Sequence, residues 1–307
     1  MEIELPDYKK IASQVKKRKV EVFEKEVEEA LHWLQKSRAK FSLKNSLCQK
    51  GDWVEIEYWS TQIENGVKRK DAFILGRGQL VPGFEENLAG MEIGQEKEFQ
   101  LTFPENHYQK DLAGGKVNFK AKINSIQKVE FPEVNDQFAQ NLGNFQNLEG
   151  LKKSIKEGLN LEKERAESQR VRQAILDKIS QNTEIKIPEI LVEEEKRRML
   201  ESFKKQVPQL LQISFEDYLV KINKTEKTLM DSFSREAQQR INNSLILKEI
   251  GEREKVEVSE KEVEEELARQ NFAKQNLGGL DREKIKDYIK EVIKNEKVFQ
   301  FLESLTK

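Results

Sequence analysis

The stretch from residue 76 to residue 106 is the part of this sequence whose side chains look most able to form a binding site. The chain has 307 residues, and 36% of them are Asp, Glu, Lys or Arg. Within that charged background the stretch gathers large apolar side chains at short intervals: Leu80, Val81, Phe84, Leu88, Met91, Phe99, Leu101 and Phe103. Such a cluster forms either the ordinary core of a small domain or the wall of an apolar pocket, and the spacing alone leaves both open.

Residue types that carry other chemistry are sparse. The two histidines, His32 and His107, are far apart, and no Cys/His or Asp spacing is typical of zinc or calcium sites. Cys48 is the single cysteine and has no base close to it in sequence. The glycine-rich run GRGQLVPG lacks the Lys–Ser/Thr end of a phosphate-binding loop. We therefore expect no cofactor, no metal and no cysteine nucleophile.

Composition narrows the class of partner and the compartment. Lys and Arg number 54 and Asp and Glu 55, a net charge of -1 that argues against a dedicated DNA-binding protein. The mean hydropathy of -0.77 predicts long, solvated helices with narrow apolar stripes. A single cysteine suits a reducing compartment, and no apolar run approaches the roughly 20 residues of a membrane span. We expect a cytoplasmic location and no membrane partner.

The pattern changes twice along the chain. Residues 1–48 contain one helix, in VFEKEVEEALHWLQKSRAKF, and its leader. Residues 49–130 alternate like half-buried strands in GDWVEIEYW, KEFQLTF and KVNFKAKINSIQKV, with an Asn65-Gly66 hairpin turn and a short helix in PGFEENLAGM. This combination predicts an α+β domain with an antiparallel sheet and one short helix.

Residues 131–307 have helical periodicity throughout. Apolar residues recur every three or four positions, and a helix is expected to begin near Pro188. Ser214 with Asp217, and Ser259 with Glu262, are typical of helix N-caps. A last helix is expected from about Asp281 to Leu302. The sequence therefore predicts a mainly α-helical C-terminal domain.

Several motifs occur together in a known order. VPGFEENLAGMEIGQEKEFQLTFPE and DLAGGKVNFKAKI resemble the FKBP-type peptidyl-prolyl isomerase domain of the trigger factor family. IPEILVEEEKRRML, ISFEDYL and LILKEIGEREKVEVSEKEVEEEL resemble the helical chaperone domain of the same family. The resemblance implies an FKBP-like domain at 49–130 and a helical domain with arm-like extensions at 131–307. Residues 1–48 are similar to the end of the family's N-terminal domain and its linker helix.

The sequence departs from the family pattern in two places. The family's ribosome-docking loop, Gly-Phe-Arg-x-Gly-Lys-x-Pro, has no counterpart in residues 1–48, so we expect no stable docking on ribosomes. After Gly66 the sequence reads VKRK, where the family usually has a Phe and an acidic residue followed by glycines.

The resemblance also implies a proline-binding pocket. Val81 would offer a backbone N–H to a substrate carbonyl, Phe84 would form the floor, and His107 and Tyr108 would lie at the rim. Phe99, Leu101 and Ile123 are expected to be plain core. The implied pocket residues are Tyr58, Phe73, Leu80, Val81, Phe84, Phe103, His107, Tyr108 and Phe119.

The helical domain is implied to hold unfolded or nascent chains on scattered apolar side chains. The candidates for that surface are Met199, Leu200, Phe203, Leu210, Leu211, Met230 and Phe233. The function so implied is that of an ATP-independent folding chaperone that isomerises X–Pro bonds. Two alternatives stay open: a module that grips proline-containing segments without catalysis, and a helical scaffold for a fixed partner.

Overall fold

The structure is a computed structural model that describes residues 3–63, 66–107, 109–269 and 282–306. The chain divides into two compact units. One comprises Val22–Leu159, and the other comprises Met1–Glu21 together with Asn160–Lys307. None of the described helices has the length and apolar character needed to cross a membrane.

A five-stranded antiparallel sheet forms the centre of the first unit. The long strand β5 is its middle: β2 pairs with one edge of β5, while β4 and β1 pair with successive parts of the other edge. Strand β3 pairs with β2 at the outside. The strands are β1 (Lys40–Leu43), β2 (Trp53–Trp59), β3 (Arg69–Ile74), β4 (Glu96–Thr102) and β5 (Lys116–Glu130).

The alternation of side chains explains how this sheet builds a core. Val54 and Ile56 of β2 are fully buried, and the residues between them are partly exposed, as expected for a strand with one covered face. A register shift between Glu55 and Ile56 marks a β-bulge in the pairing with β5. Ile123 and Ile126 of β5 join the same buried cluster, which the short helix α3 (Phe84–Leu88) covers.

A second, smaller cluster in this unit lies between helices. Helix α2 (Glu24–Ser37) contributes Leu31, which packs with Phe138 and Ala139 of α4 (Asp136–Leu142) and with Leu151. Leu151 is in the first part of α5 (Leu148–Gln181). The side chain of Gln35 donates to the Pro132 carbonyl at 2.9 Å and fixes the end of α2.

The second unit is built from helices. Val171, Ile175 and Ile179 of α5 pack with Ile246 and Ile250. The helices of this unit, besides the later part of α5, are α1 (Tyr8–Ser13), α6 (Glu189–Leu211), α7 (Phe215–Lys221), α8 (Glu226–Ser232), α9 (Ser234–Arg253), α10 (Glu260–Arg269) and α11 (Arg282–Ser304).

Ionic contacts join the helices of this unit. The Arg172 guanidinium on α5 makes a two-bond contact with Glu296 at 2.7 Å and also reaches Glu303 on α11. On the same helix, Glu167 accepts from the Arg18 backbone N–H at 2.7 Å and binds Arg170. The leading residues of the chain are therefore tied to α5.

The predicted fold class is confirmed: an antiparallel sheet with one short helix precedes a mainly helical region. Both predicted caps are present, because the Ser214 hydroxyl accepts from Asp217 N–H and Ser259 exchanges bonds with Glu262. Helix α1 and strand β1 were not predicted. Asn65 and Asp281, which the sequence placed in a turn and at a helix start, lie outside the described residues. The division into domains at residues 48 and 130 remains a prediction.

Candidate functional site

A pocket of about 190 Å³ lies at one end of the sheet in the first unit. It is smaller than the roughly 300–1000 Å³ of typical small-molecule sites, so it suits one compact side chain. Its walls come from the end of β2, the following turn, the start of β3, the loop before α3, the segment after β4, and β5. The lining residues are Tyr58, Trp59, Ser60, Ile63, Val67, Arg69, Leu80, Val81, Phe84, Phe103, His107, Gln109, Leu112 and Phe119.

Phe84 forms the floor of this pocket and belongs to the core at the same time. It is only 2% exposed, and its ring makes edge-to-face contacts with three other rings. The centroid distances are 5.4 Å to Tyr58, 5.0 Å to Phe99 and 5.3 Å to Phe119. Edge-to-face pairs place the positive edge of one ring against the negative face of another, which fixes ring orientation. The floor is therefore held in one position.

The buried carboxylate of Glu85 organises the loop that precedes α3. Its two oxygens accept backbone N–H bonds from Gly76 and Gln79, both at 2.6 Å, and a longer one from Leu80 at 3.4 Å. Burial of the carboxylate, the largest single effect, would raise the pKa of Glu85, but the backbone N–H groups together hold that pKa below its usual value. A charged group thus anchors the loop whose next residue, Val81, lines the pocket.

The turn into α3 begins at Val81, which is one of the lining residues of the pocket. Gly83 has φ +89, and a Cβ at this position would lie 3.0 Å from Leu101, so a side chain here would be both strained and crowded. The Val81 carbonyl accepts from Phe84 N–H at 2.9 Å. Among the described residues, the Val81 N–H has no acceptor, which leaves a backbone donor beside the aromatic floor.

Polar and charged residues contact the lining residues Trp59 and Phe103. Lys68 lies 4.5 Å from the ring centroid of Trp59 and also binds Glu57 at 2.8 Å. That hydrogen bond from Lys68 is the main reason why the pKa of Glu57 lies below its usual value. The His107 ring contacts Phe103 edge-on at 4.8 Å, and its Nδ1 accepts from the Gln109 N–H at 3.3 Å.

The structure brings together most of the residues that the resemblance implied for the pocket. Tyr58, Leu80, Val81, Phe84, Phe103, His107 and Phe119 all line it. Phe73 is buried in the core of the same unit and is not among the lining residues, and Tyr108 lies outside the described residues. The sequence reasoning missed Trp59, Ser60, Ile63, Val67, Arg69, Gln109 and Leu112. Ile63 could have been found, since it is the one apolar residue in the sequence STQIENG that follows β2.

The residues predicted to contact clients separate into buried and exposed groups. Met199 and Leu200 are buried within the helical unit. Phe203, Met230 and Phe233 are half-buried against the same clusters. Leu210 and Leu211, at the end of α6, have 75% and 52% of their surface exposed. Of the seven candidates, Leu210 and Leu211 are the ones whose side chains are exposed.

The described lining of the pocket consists mainly of aromatic rings and aliphatic side chains, with the unbonded N–H of Val81 among its backbone groups. No carboxylate is found among its described lining residues. An occupant would lose water on several sides, and a carbonyl at the Val81 N–H would still find a hydrogen bond. Such a site favours the form of an amide that requires least hydration.

Two parts of the chain match families of known proteins. Residues 44–131 match the family model described as FKBP-type peptidyl-prolyl cis-trans isomerase, and residues 147–304 match the model described as bacterial trigger factor protein C-terminus. The trigger factor of Caldicellulosiruptor saccharolyticus is 35% identical, with 98% of this chain and 70% of that protein covered. The trigger factor of Halothermothrix orenii is 32% identical, with 94% and 67% covered.

A solved structure of the trigger factor chaperone also aligns, with a TM-score of 0.48 and 19% identity over 99% of this chain and 72% of that one. The sequence matches are the basis of the assignment, because each of the two relatives is at least 32% identical over two thirds of its length or more. This chain belongs to the trigger factor family.

Proposed function

We propose that this chain is a folding chaperone that isomerises X–Pro bonds in the aromatic pocket and holds unfolded polypeptides on its helical unit. The observation that carries the proposal is the pocket itself. It lies within the residues that match the FKBP-type isomerase model, and it combines a fixed aromatic floor with the Val81 N–H.

Isomerisation requires only that the amide be twisted. The barrier of about 18–20 kcal/mol comes from amide resonance, and that resonance is strongest when water solvates the charge-separated form. A proline ring seated on Phe84, between Tyr58 and Phe119, would carry its amide out of water. The pocket would then destabilise the planar, charge-separated amide relative to the twisted one, which lowers the barrier without an acid, base or nucleotide.

Two residues are proposed to orient the substrate. The Val81 N–H would bind the carbonyl next to the proline, so that one side of the amide is fixed while the other rotates. Glu85 would act through the loop, because its carboxylate holds Gly76, Gln79 and Leu80 in place. Phe103 and His107 close the pocket on the side of β4.

Holding is assigned to the helical unit. Unfolded chains expose apolar side chains, and a surface that binds many of them should offer scattered apolar contacts among charges. Leu210 and Leu211 satisfy this description in the described helices. A pocket that grips proline without catalysis, or helices that serve one fixed partner, are the outcomes that would replace this proposal.

We also propose a cytoplasmic location and no stable ribosome contact by the basic residues near the start of the sequence, which are Lys9, Lys10, Lys16, Lys17, Arg18 and Lys19. The sequence has one cysteine and so no internal disulfide, which suits a reducing compartment. This residue, Cys48, is buried and donates its thiol to the Leu88 carbonyl. The Arg18 backbone is bound by Glu167, and Lys9 is paired with Glu254 at 2.8 Å. Any contact with RNA phosphates should therefore be weak and salt-sensitive.

A two-part assay tests the function. The full chain is added to a peptide with a single X–Pro bond and, separately, to a chemically unfolded protein that aggregates on dilution. The proposal expects faster isomerisation and less aggregation. Binding of the proline peptide without acceleration supports the non-catalytic alternative, and suppression limited to one client among several supports the scaffold.

A further inference from the structure

The side chains of the segment between α5 and α6 alternate between covered and exposed positions. Thr183 is buried and Ile185 and Ile187 are half-buried, whereas Glu184 and Lys186 are exposed. Ile185 packs on the cluster around α5, and Ile187 on the cluster around Val192. This alternation is typical of a strand with one covered face. Within the described chain, the N–H groups of residues 184–187 have no acceptor.

A groove of about 1130 Å³ runs beside this segment. The opposite wall is the first half of α9, which contributes Gln238, Gln239 and Asn242. Gln181, at the end of α5, adds a fourth amide side chain. A primary amide has the N–H donors and the carbonyl acceptor of a peptide bond. These side chains can therefore form the same hydrogen bonds with a peptide as the edge of a strand can.

One of these amides is incompletely bonded. Asn242 donates from Nδ2 to the Ser180 hydroxyl at 2.7 Å, while its carbonyl oxygen Oδ1 is buried and has no hydrogen-bond partner. Buried acceptors are normally paired. Gln239 donates to Asp177 at 3.2 Å, which leaves its own carbonyl able to accept. The carbonyl of the exposed Gln239 is therefore an acceptor for an incoming N–H group, whereas Asn242 Oδ1 is itself buried.

The charges of the groove balance. Asp177 and Glu184 line it together with Lys186 and Arg235. Because two carboxylates face two cations, the groove has no net charge with which to select an acidic or a basic partner. Its apolar contribution comes from Ile185 and Ile187, which are already half-covered. What remains to be recognised is the main chain of the partner.

We propose that this groove binds an extended segment of an unfolded polypeptide through its backbone. The segment would pair as an added strand with residues 184–187 on one side and face the amides of α9 on the other. The inference rests on the proposed holding function, since the occupant is a stretch of client. The groove would recognise the client's main chain, so that client segments with few apolar side chains would also bind.

Backbone-modified peptides test this directly. A fluorescent peptide of Ser, Thr and Gln residues is titrated with the full chain, beside two versions N-methylated at odd or at even positions. All three share the same side chains. In the proposed complex, one edge of the bound peptide faces residues 184–187 and the other faces the amides of α9. Both modified peptides should therefore bind at least about tenfold more weakly, which corresponds to the loss of roughly one net hydrogen bond. Equal binding of the three peptides would overturn the proposal.

Variants locate the binding. Gln238→Ala combined with Gln239→Ala should weaken the unmodified peptide by about tenfold, because two exposed amides of the wall are removed. Gln206→Ala, an exposed amide on α6, is the matched control and should leave binding unchanged. Thermal melting confirms that each variant is folded. Unchanged binding by the double variant would place the peptide elsewhere and contradict the inference.

A parallel aggregation assay separates this inference from the function on which it rests. If the wild-type chain suppresses aggregation of an unfolded client but binds all three peptides equally, only the groove proposal fails. If the wild-type chain suppresses no aggregation, the holding function fails with it.

Discussion

The ring of Phe84 stands edge-on to the ring of Tyr58, with centroids 5.4 Å apart and planes at 77°. Phe99 and Phe119 contact the same ring from other directions. The residue at the floor of the pocket is therefore fixed by contacts that belong to the core. Changes that affect catalysis at Phe84 will also affect stability, so each needs a control that affects stability alone.

Phe84→Leu should lower isomerase activity by about tenfold or more, because the aromatic contacts that orient the floor are each worth about 0.5–1.5 kcal/mol. Phe73→Leu is the matched control, since Phe73 is a buried ring of the same unit outside the pocket lining. Both should lose roughly 0.5–3 kcal/mol of stability. Peptide isomerisation kinetics and denaturant unfolding check this. Equal loss of activity in both variants would show that folding, not the floor, is responsible.

Glu85→Gln should loosen the loop that carries Leu80 and Val81. The neutral amide accepts backbone N–H bonds more weakly than the carboxylate, so we expect about 1–3 kcal/mol less stability and a several-fold loss of isomerase activity. Glu86→Gln, on the exposed side of the same helix, should change neither quantity. Activity of Glu85→Gln equal to that of the wild type would remove Glu85 from the positioning of the pocket.

Acid should weaken the helical unit through Glu167. Its hydrogen bond with Arg170, opposed by burial and assisted by the Arg18 N–H, lowers the pKa of Glu167 from 4.5 to about 2. A lowered folded-state pKa means stability that is fully present above about 4.5 and is lost as the pH falls toward about 2. Glu167→Gln should be less stable at neutral pH, and the difference from wild type should shrink below pH 4.5.

Denaturant titrations at several pH values measure that difference. Glu162→Gln, an exposed position on the same helix, is the control and should follow the wild type at every pH. If the difference in unfolding free energy between Glu167→Gln and wild type stayed constant down to acid pH, the carboxylate of Glu167 would not be the titrating group.

The exposed pair at the end of α6 should contribute to client holding. Leu210→Ser with Leu211→Ser should raise the chain concentration needed for half-suppression of aggregation by about three- to tenfold, because apolar contact area is lost. Their exposure means that stability should not change. Leu161→Ser, also on an exposed helix face, is the control. If the control lowers suppression as much as the pair, holding depends on general surface apolarity and not on this end of α6.

The sequence predicted Tyr58, Phe84, Phe103 and Phe119 of the pocket lining through resemblance, but it could not supply the register of the strands. Tyr58 lies opposite Arg69 in the β2–β3 pairing, and Phe73 lies opposite Val54, four residues earlier in β2. At about 3.3 Å per residue, that separation places Phe73 roughly 13 Å from the pocket end of the strand. Alternation identifies the face of a sheet on which a residue lies, but not which end of the sheet holds the site.

The same limit applies to the helical unit and to strand β1, the short strand without an alternating pattern. A stripe that contains Leu200 and Leu211 shows that both belong to an apolar face, yet only packing decides that Leu200 is buried and Leu211 is exposed. Strand β1 has four exposed residues and no alternation, and it exists because it pairs with the end of β5. Neither outcome depends on local sequence alone.

The most direct test of the account is the rate at which an X–Pro peptide isomerises in the presence of the full chain. The uncatalysed reaction takes about 10–100 s at 25 °C. The account predicts a rate that rises in proportion to the concentration of wild-type chain, and a slope about tenfold lower for Phe84→Leu than for an equally folded Phe73→Leu. A rate that stays at the uncatalysed value while the peptide binds the pocket would contradict it.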